Sequence, residues 1–339
     1  MIWKENISLK PFNTFGMDVK ARYFHAFRSM EELMSGIYDE SDIATMQRLI
    51  LGGGSNVLFT HNFDGLVLKN EILGIEVSEE DENSVLVKAG AGENWHTFVM
   101  QTLDKGWSGL ENLALIPGSV GASPLQNIGA YGVEVKDLVA EVETFDLHER
   151  TKVIFTNEDC AFGYRESVFK KKYKGRFAIL SVSFRLNKKE HLHLDYGAIR
   201  QELDSMAIQN PDAKAVAAAV MRIRKAKLPD PAVIGNAGSF FKNPMVEESL
   251  YSKLKDQYPD LVAFPSSSGE YKLAAGWLIE KAGWKGYRKG DAGCHPAQAL
   301  VLVNYGNANG KEILDLCGKI KADVKEKFEV LLEEEVNIY

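Results

Sequence analysis

The sequence predicts an α+β protein of more than one domain, and three observations carry that expectation. The chain has 339 residues, beyond the roughly 100–200 of an ordinary domain, so two or three domains are expected. Short apolar runs broken by glycine in the first third, and further strand-like runs over about 133–190, read as strands. Helical spacing appears in separate stretches and does not alternate with the strands as regular βαβ units would.

Taken in order, Glu31 to Ile37 has helical spacing through Leu33, Met34 and Ile37. Arg48-Leu49-Ile50-Leu51 is a buried-strand candidate running into Gly52-Gly53-Gly54-Ser55-Asn56. Gly65 to Leu68 and Ser84 to Ala89 follow, the latter closed by Gly90 and Gly92. Asn94 to Leu103 reads as a helix. Val139 to Phe145, Lys152 to Phe155 and Phe177 to Leu186 read as strands, the last with Phe177, Ile179, Val182, Phe184 and Leu186 apolar. Pro211 to Lys227 turns helical through Val216, Val220 and Ile223, with a basic last turn before Pro229. Ala299 to Val303 is expected as a strand and Gly310 to about Leu332 as a long amphipathic helix. Pro229-Asp230-Pro231 is the best boundary signal.

Composition excludes several classes. With 40 basic and 47 acidic side chains the net charge is −7, which argues against a general coat for nucleic acid or anionic membrane. No apolar run approaches the ~20 residues of a membrane span. The mixed-charge start does not resemble a signal peptide, so a cytoplasmic protein without membrane insertion is expected. Cys160, Cys294 and Cys317 form neither a disulfide framework nor a CxxC clip. Reduced thiols and no metal site are expected; Cys294-His295 would need scattered partners to hold an ion.

A glycine run after a strand lets backbone N–H groups approach an anion. Gly52 to Val57 fits G-x-G but has Val57 at the third glycine position of the Rossmann fingerprint, and no Walker lysine follows. A ligand-free turn explains this loop equally well. Ile116 to Gly132 holds four glycines without helical or strand period, a length seldom kept irregular without use. With Gly90 and Gly92, these surfaces suggest a long ligand carrying a pyrophosphate, such as a dinucleotide.

Six segments in this order extend the reading: Asn13-Thr14-Phe15-Gly16; Leu51 to Leu58; Gly118-Ser119-Val120-Gly121 with Gln126 to Gly132; Phe162-Gly163-Tyr164-Arg165; Gly235 to Pro244; and Ala274 to Ile279. Together they resemble the UDP-N-acetylenolpyruvoylglucosamine reductase (UDP-N-acetylmuramate dehydrogenase) family of peptidoglycan synthesis, over nearly the whole chain. Leu194-Asp195-Tyr196-Gly197-Ala198-Ile199 resembles the extra loop of its type I members. The resemblance implies a two-domain FAD-binding core of the vanillyl-alcohol-oxidase type plus a third, α+β substrate-binding domain. The expected divisions are 1–68, 69–222 and 223–328, with 329–339 a C-terminal return segment. It also implies NADPH as hydride donor, UDP-N-acetylglucosamine-enolpyruvate as substrate and a monomer. FAD would lie along Gly52, Gly53, Gly54, Ser55 and Asn56, and along Gly118, Ser119, Gly121, Ala122, Asn127, Gly129, Ala130, Tyr131 and Gly132. With no histidine in the first loop, the flavin is expected to be noncovalent.

Hydride addition to the vinyl carbon of such a substrate leaves charge beside its carboxylate, so the site needs a cation and an acid. Arg165 can grip a carboxylate through parallel hydrogen bonds; by composition it also reads as a surface arginine pairing with Glu166 or Asp159. The resemblance makes Ser239 the proton donor, where residue type alone also allows a turn or capping serine. A nucleophilic role lacks both the G-x-S-x-G elbow and a histidine partner. Glu335, in Leu332-Glu333-Glu334-Glu335-Val336, reads by composition as a solvated acidic end and by resemblance as the third member of the set. The family usually has proline at Glu334. Arg224, Lys227, Tyr196, Asn243 and Gln298 map to substrate or NADPH contacts; the run Arg222 to Lys227 equally complements a helix C-terminus. A hydroxy-acid oxidase on the same scaffold would need a base instead of an acid, and a pure nucleotide binder would have no use for Ser239 or Arg165.

Overall fold

The computed structural model describes residues 3–38, 46–266 and 269–339. They divide into two units. One comprises residues 1–7, 21–54 and 63–226; the other 8–20, 55–62 and 227–339.

In the first unit a four-stranded sheet is built from β1 (Lys4–Ser8), β2 (Lys20–Phe27), β3 (Arg48–Leu51) and β4 (Phe63–Asn70), in the order β1-β2-β4-β3. β4 is parallel to both neighbours, with Val67 opposite Phe24 and Leu49. Its continuous run Leu66-Val67-Leu68 is fully buried, as a central parallel strand requires. Helix α1 (Met30–Tyr38) packs Leu33 and Ile37 against Phe27, Leu66 and Leu68.

The second sheet of this unit is antiparallel. It runs β8-β7-β9-β6-β5, from β5 (Ile75–Glu80), β6 (Ser84–Gly90), β7 (Val139–Asp146), β8 (Thr151–Thr156) and β9 (Phe177–Asn187). The apolar alternation of β9 steps by three between Ile179 and Val182, and there the pairing with β7 shifts register around Leu180. That bulge keeps Ile179, Val182, Phe184 and Leu186 in one core while Ala178 and Leu180 enter another. The larger core lies against α2 (Trp95–Asp104), α3 (Gly197–Ser205) and α4 (Ala213–Lys227). Asn94 caps α2 by accepting from Thr97 N–H at 3.0 Å, and Asp212 accepts from Ala215 N–H at 2.7 Å ahead of α4.

The second unit has a four-stranded antiparallel sheet in the order Gly235–Asn236, Leu302–Asn304, Ala292–Cys294, Arg288–Lys289. A three-stranded sheet (Met245–Val246, Ala263–Pro265, Tyr271–Leu273) accompanies it. Its helices are α5 (Glu248–Gln257), α6 (Ala275–Lys281) and α7 (Gly310–Phe328). A reciprocal cap between Asn309 and Glu312 starts α7.

Two expectations are corrected here. α7 stops at Phe328 instead of Leu332, because Glu329 turns left-handed (φ 59°) and the next residues pair with another strand: Glu333 C=O accepts from Lys242 N–H at 2.9 Å. The strand expected over Ala299–Val303 runs instead over Leu302–Asn304. Ala299 and Leu300 are diverted into side contacts, their carbonyls accepting from Cys294 Sγ (3.0 Å) and Phe240 N–H (2.8 Å).

Candidate active site

In the first unit the two glycine loops meet backbone to backbone. A Cβ on Gly53 would sit 2.9 Å from Gly118 Cα, and one on Gly121 only 2.5 Å from Ala91 Cβ. Gly118 adopts φ +127°, open to glycine alone in practice. The N–H groups of Gly53, Gly118 and Ser119 donate to no protein acceptor among the described residues. Amides with no protein acceptor, on two loops in backbone contact, suit an oxyanion, and a flavin dinucleotide's diphosphate fits this donor set.

The rest of 116–132 is held by its own side chains. Ser119 begins a short 3₁₀ turn, Val120–Ala122, and Gly121 N–H donates to Ala91 C=O at 2.9 Å. Gly129–Ala130 and Val133–Glu134 form a hairpin whose turn residues, Tyr131 and Gly132, are both left-handed (φ 50° and 85°). Asn127 is fully buried and its side chain is spent on the protein: Nδ2 donates to Glu134 Oε2 (3.1 Å) and Gly163 C=O (2.9 Å), and Oδ1 accepts from Lys136 N–H (3.0 Å).

Arg165 lies across this segment. Its Nη1 donates to Asn127 C=O at 3.3 Å and its Nη2 to Gly129 C=O at 2.5 Å, with the Tyr164 ring 5.3 Å from the guanidinium. Of the surface partners its sequence context offers, Glu166 pairs with Lys171, and Asp159 accepts from Thr156 N–H (2.9 Å) and Oγ1 (2.7 Å).

Tyr131, Tyr196 and Arg224 come together. The two tyrosine rings meet edge to face at 5.3 Å, and Tyr196 is exposed at the start of α3. Burial pushes the Tyr131 phenol up and the Arg224 guanidinium down from their ordinary values, each group opposing the other's shift. Arg224 Nε donates to Leu115 C=O at 3.3 Å.

In the second unit Ser239 follows Gly238 (φ +70°), whose N–H donates to the buried Asn236 side chain at 2.9 Å. The Ser239 hydroxyl is half-buried and has no hydrogen-bond partner among the described residues. Phe240, next in chain, is fixed from both sides: its N–H donates to Leu300 C=O and its C=O accepts from Glu335 N–H, each at 2.8 Å. Ser239 and Glu335 therefore lie on neighbouring extended segments. The three consecutive glutamates are sorted by this pairing. Glu333 pairs with Lys242 at 3.4 Å. Glu334 faces Lys321 at 2.7 Å and Cys317; burial works to raise its carboxyl, but the Lys321 hydrogen bond holds it below the usual range. Asn56 Nδ2 donates to the backbone carbonyl of Glu335 at 3.4 Å. Asn243 Oδ1 caps α6 through Ala275 N–H at 2.9 Å, Gln298 Oε1 accepts from Leu300 N–H at 3.3 Å, and Lys227 is exposed.

Sequence reading missed the polar pair Glu111-Asn112, wholly buried inside the apolar run Leu110 to Leu115. Asn112 Nδ2 donates to Tyr131 C=O and His193 C=O, both at 3.0 Å, tying the hairpin to the loop before Tyr196. Two polar residues among apolar neighbours were the available signal. Among the described residues no three His, Cys, Asp or Glu side chains converge as metal ligands, and no helix is long and apolar enough to cross a membrane.

Comparison with known proteins adds to this geometry. Residues 31–152 match the family model of an FAD binding domain, and residues 230–339 match that of the UDP-N-acetylenolpyruvoylglucosamine reductase C-terminal domain. The chain is 50% identical over 337 residues to the UDP-N-acetylenolpyruvoylglucosamine reductase of Pseudomonas putida, covering 99% of each. It is 51% identical over 333 residues to that of Pseudomonas syringae pv. tomato, covering 98% of each. Among solved structures, the UDP-N-acetylenolpyruvylglucosamine reductase of Thermus caldophilus superposes with a TM-score of 0.69 at 24% identity over 99% of each chain, a likeness of fold.

Proposed function

The chain belongs to the UDP-N-acetylenolpyruvoylglucosamine reductase family, and on that premise we propose that it uses NADPH and bound FAD to reduce the enolpyruvyl group of UDP-N-acetylglucosamine-enolpyruvate to the lactyl group of UDP-N-acetylmuramate. It is an FAD-binding oxidoreductase of peptidoglycan precursor synthesis. When bound, the flavin supplies the hydride relay between nicotinamide and substrate. Gly53, Gly118 and Ser119 would hold its diphosphate through backbone N–H groups. On the same reading the reaction takes place in the cytoplasm and the working form is a monomer.

As the terminal vinyl carbon of the substrate gains hydride, negative charge builds on the adjacent carbon and its carboxylate. Arg165 offsets that charge; its guanidinium, braced on Asn127 and Gly129 carbonyls, needs little reorganisation to do so. Glu335 assists in its protonated form, since an ionised carboxylate would repel the substrate's own. Ser239 gives its hydroxyl proton to the adjacent carbon, completing addition of H⁻ and H⁺ across the double bond. Arg224 and Lys227 hold the diphosphate of the sugar nucleotide, Tyr196 closes over it, and Asn243 and Gln298 shape the walls.

The observation that carries this reading is the Ser239 hydroxyl, uncommitted to any described protein group yet fixed by the doubly bonded Phe240 beside it. A turn or capping serine would spend its oxygen on a neighbouring N–H. The test is anaerobic. NADPH should bleach the yellow protein, and the enolpyruvyl sugar nucleotide should restore the colour. A protein that stays bleached with that substrate refutes the proposal.

A further inference from the structure

Residues 113–120 lead into the second glycine loop, and the first turn of α2 with Glu93 just ahead of its cap grips them at four points. Trp95 Nε1 donates to Leu113 C=O at 2.9 Å, and Trp95 N–H donates to Gly118 C=O at 3.1 Å. Val120 N–H donates to Glu93 C=O at 2.9 Å. The fourth point is a side chain: His96 Nδ1 accepts the N–H of Leu115 at 3.1 Å.

Leu115 is the unusual member of this segment. It sits at φ +60°, left-handed geometry that a branched-side-chain leucine resists and that persists only where its surroundings over-determine it. His96 fixes its N–H from α2, and Arg224 fixes its C=O from α4 at 3.3 Å. A backbone N–H can only donate, so Nδ1 must carry no proton and the ring must be neutral with its hydrogen on Nε2. Burial, with Lys225 nearby, favours that neutral ring.

We propose that His96 is a positioning residue for the flavin: its Nδ1 locks Leu115 in left-handed geometry and so aims the Gly118 and Ser119 N–H groups at the diphosphate. The inference rests on the FAD reading above. The chain direction at Leu115 decides where those two amides point three and four residues later. Nothing else on α2 bonds the Leu115 N–H, so its loss frees the segment between Leu113 and Gly118 to relax toward right-handed geometry.

The experiment measures FAD dissociation from the purified holoenzyme by flavin fluorescence on serial dilution, with apparent melting temperature as a check of the fold. His96→Leu keeps volume and removes the acceptor; it should raise the FAD Kd by about tenfold or more, the worth of one well-made hydrogen bond to a strained segment. His96→Asn returns an acceptor at the δ position and should bring Kd back to within about threefold of the parent. Leu115→Gly placed in the His96→Leu protein removes the backbone strain and should recover most of the loss. If His96→Leu does not fold, His96→Asn against His96→Ser decides, since the serine hydroxyl is too short to reach. Unchanged Kd in His96→Leu, or equal Kd for the asparagine and the non-accepting variant, overturns the proposal. A parent protein that holds no FAD overturns both this proposal and the flavin reading, whereas a tightly flavinated parent with indifferent variants overturns this one alone.

Discussion

Gly53→Ala tests the cradle most directly. Its Cβ would stand 2.9 Å from Gly118 Cα and 3.2 Å from Gly118 C. Carbon–carbon contact is comfortable from about 3.5 Å, so the two turns must part by roughly 0.6 Å. Neither obstacle is a side chain that can swing aside, and forcing extra volume into such a contact costs about 1–3 kcal/mol. The parting also moves the Gly53 amide away from those of Gly118 and Ser119, and one hydrogen bond to a charged group contributes about 1.5–3 kcal/mol. At 1.4 kcal/mol per decade the FAD Kd should rise about 10- to 100-fold. Gly52→Ala is the internal control. Its Cβ meets Ser119 Oγ at 2.5 Å but nothing else closer than 3.6 Å, and a hydroxyl can rotate away. That variant should lose less, and adding Ser119→Ala should restore it. Flavin fluorescence during dilution reads all three. If Gly53→Ala retained FAD like the parent, the backbone-to-backbone cradle would not be where the diphosphate sits.

Three further outcomes are expected. Ser239→Ala should leave NADPH bleaching of the flavin intact while slowing substrate-driven recolouring by about 10²–10⁴-fold in stopped flow; equal rates would remove the hydroxyl from the reaction. Asp146, whose carboxylate is 2% exposed, is paired with Arg176 at 2.6 Å and accepts from His148 and Glu149 N–H. Burial works to raise its carboxyl, but these bonds hold it below the usual range. Its stabilisation is therefore full above about pH 4, the unfolded value, and disappears as pH falls through the lower folded value. Asp146→Asn should cost about 1–3 kcal/mol at neutral pH, the lower end reflecting the solvent reaching Arg176, and should flatten the acid limb of a melting-temperature profile. Burial pushes the Cys160 and Cys294 thiols up to about 12, and Cys317 higher still. Iodoacetamide at pH 8 should label none of the three until denaturant is added, and mass spectrometry would expose any early adduct.

Periodicity made the cores readable in advance: the apolar run of β4, the helical spacing of α2 and α4, and the apolar positions of β9, though not its bulge. What stayed hidden depends on partners far along the chain. Residues 329–332 keep the amphipathic pattern of α7 yet leave the helix, because the segment that follows them finds hydrogen bonds on 240–242. The glutamate run 333–335 looks uniform in sequence, and only that pairing separates the carboxylate on Lys242, the one on Lys321 and the residue whose backbone N–H meets Phe240. His96 and Leu115 carry no sequence signal, since neither a left-handed leucine nor a histidine acceptor alters composition or spacing. Motif resemblance marked Arg165; its brace of two carbonyls became visible only in three dimensions.

The two units are threaded through each other in sequence: the polypeptide changes unit at 7/8, 20/21, 54/55, 62/63 and 226/227. The Gly235–Asn236 strand takes Thr14 C=O as acceptor for Asn236 N–H at 3.0 Å, and Asn337–Ile338 lies parallel to Val57–Leu58. During synthesis, then, Thr14 and Val57–Leu58 emerge long before Asn236 and Asn337–Ile338, their partners in the final third. A fragment beginning at 227 would lack both early pieces, so the C-terminal portion should not be producible alone as a folded protein, and refolding should be slow for the chain's size because its closing contacts span hundreds of residues.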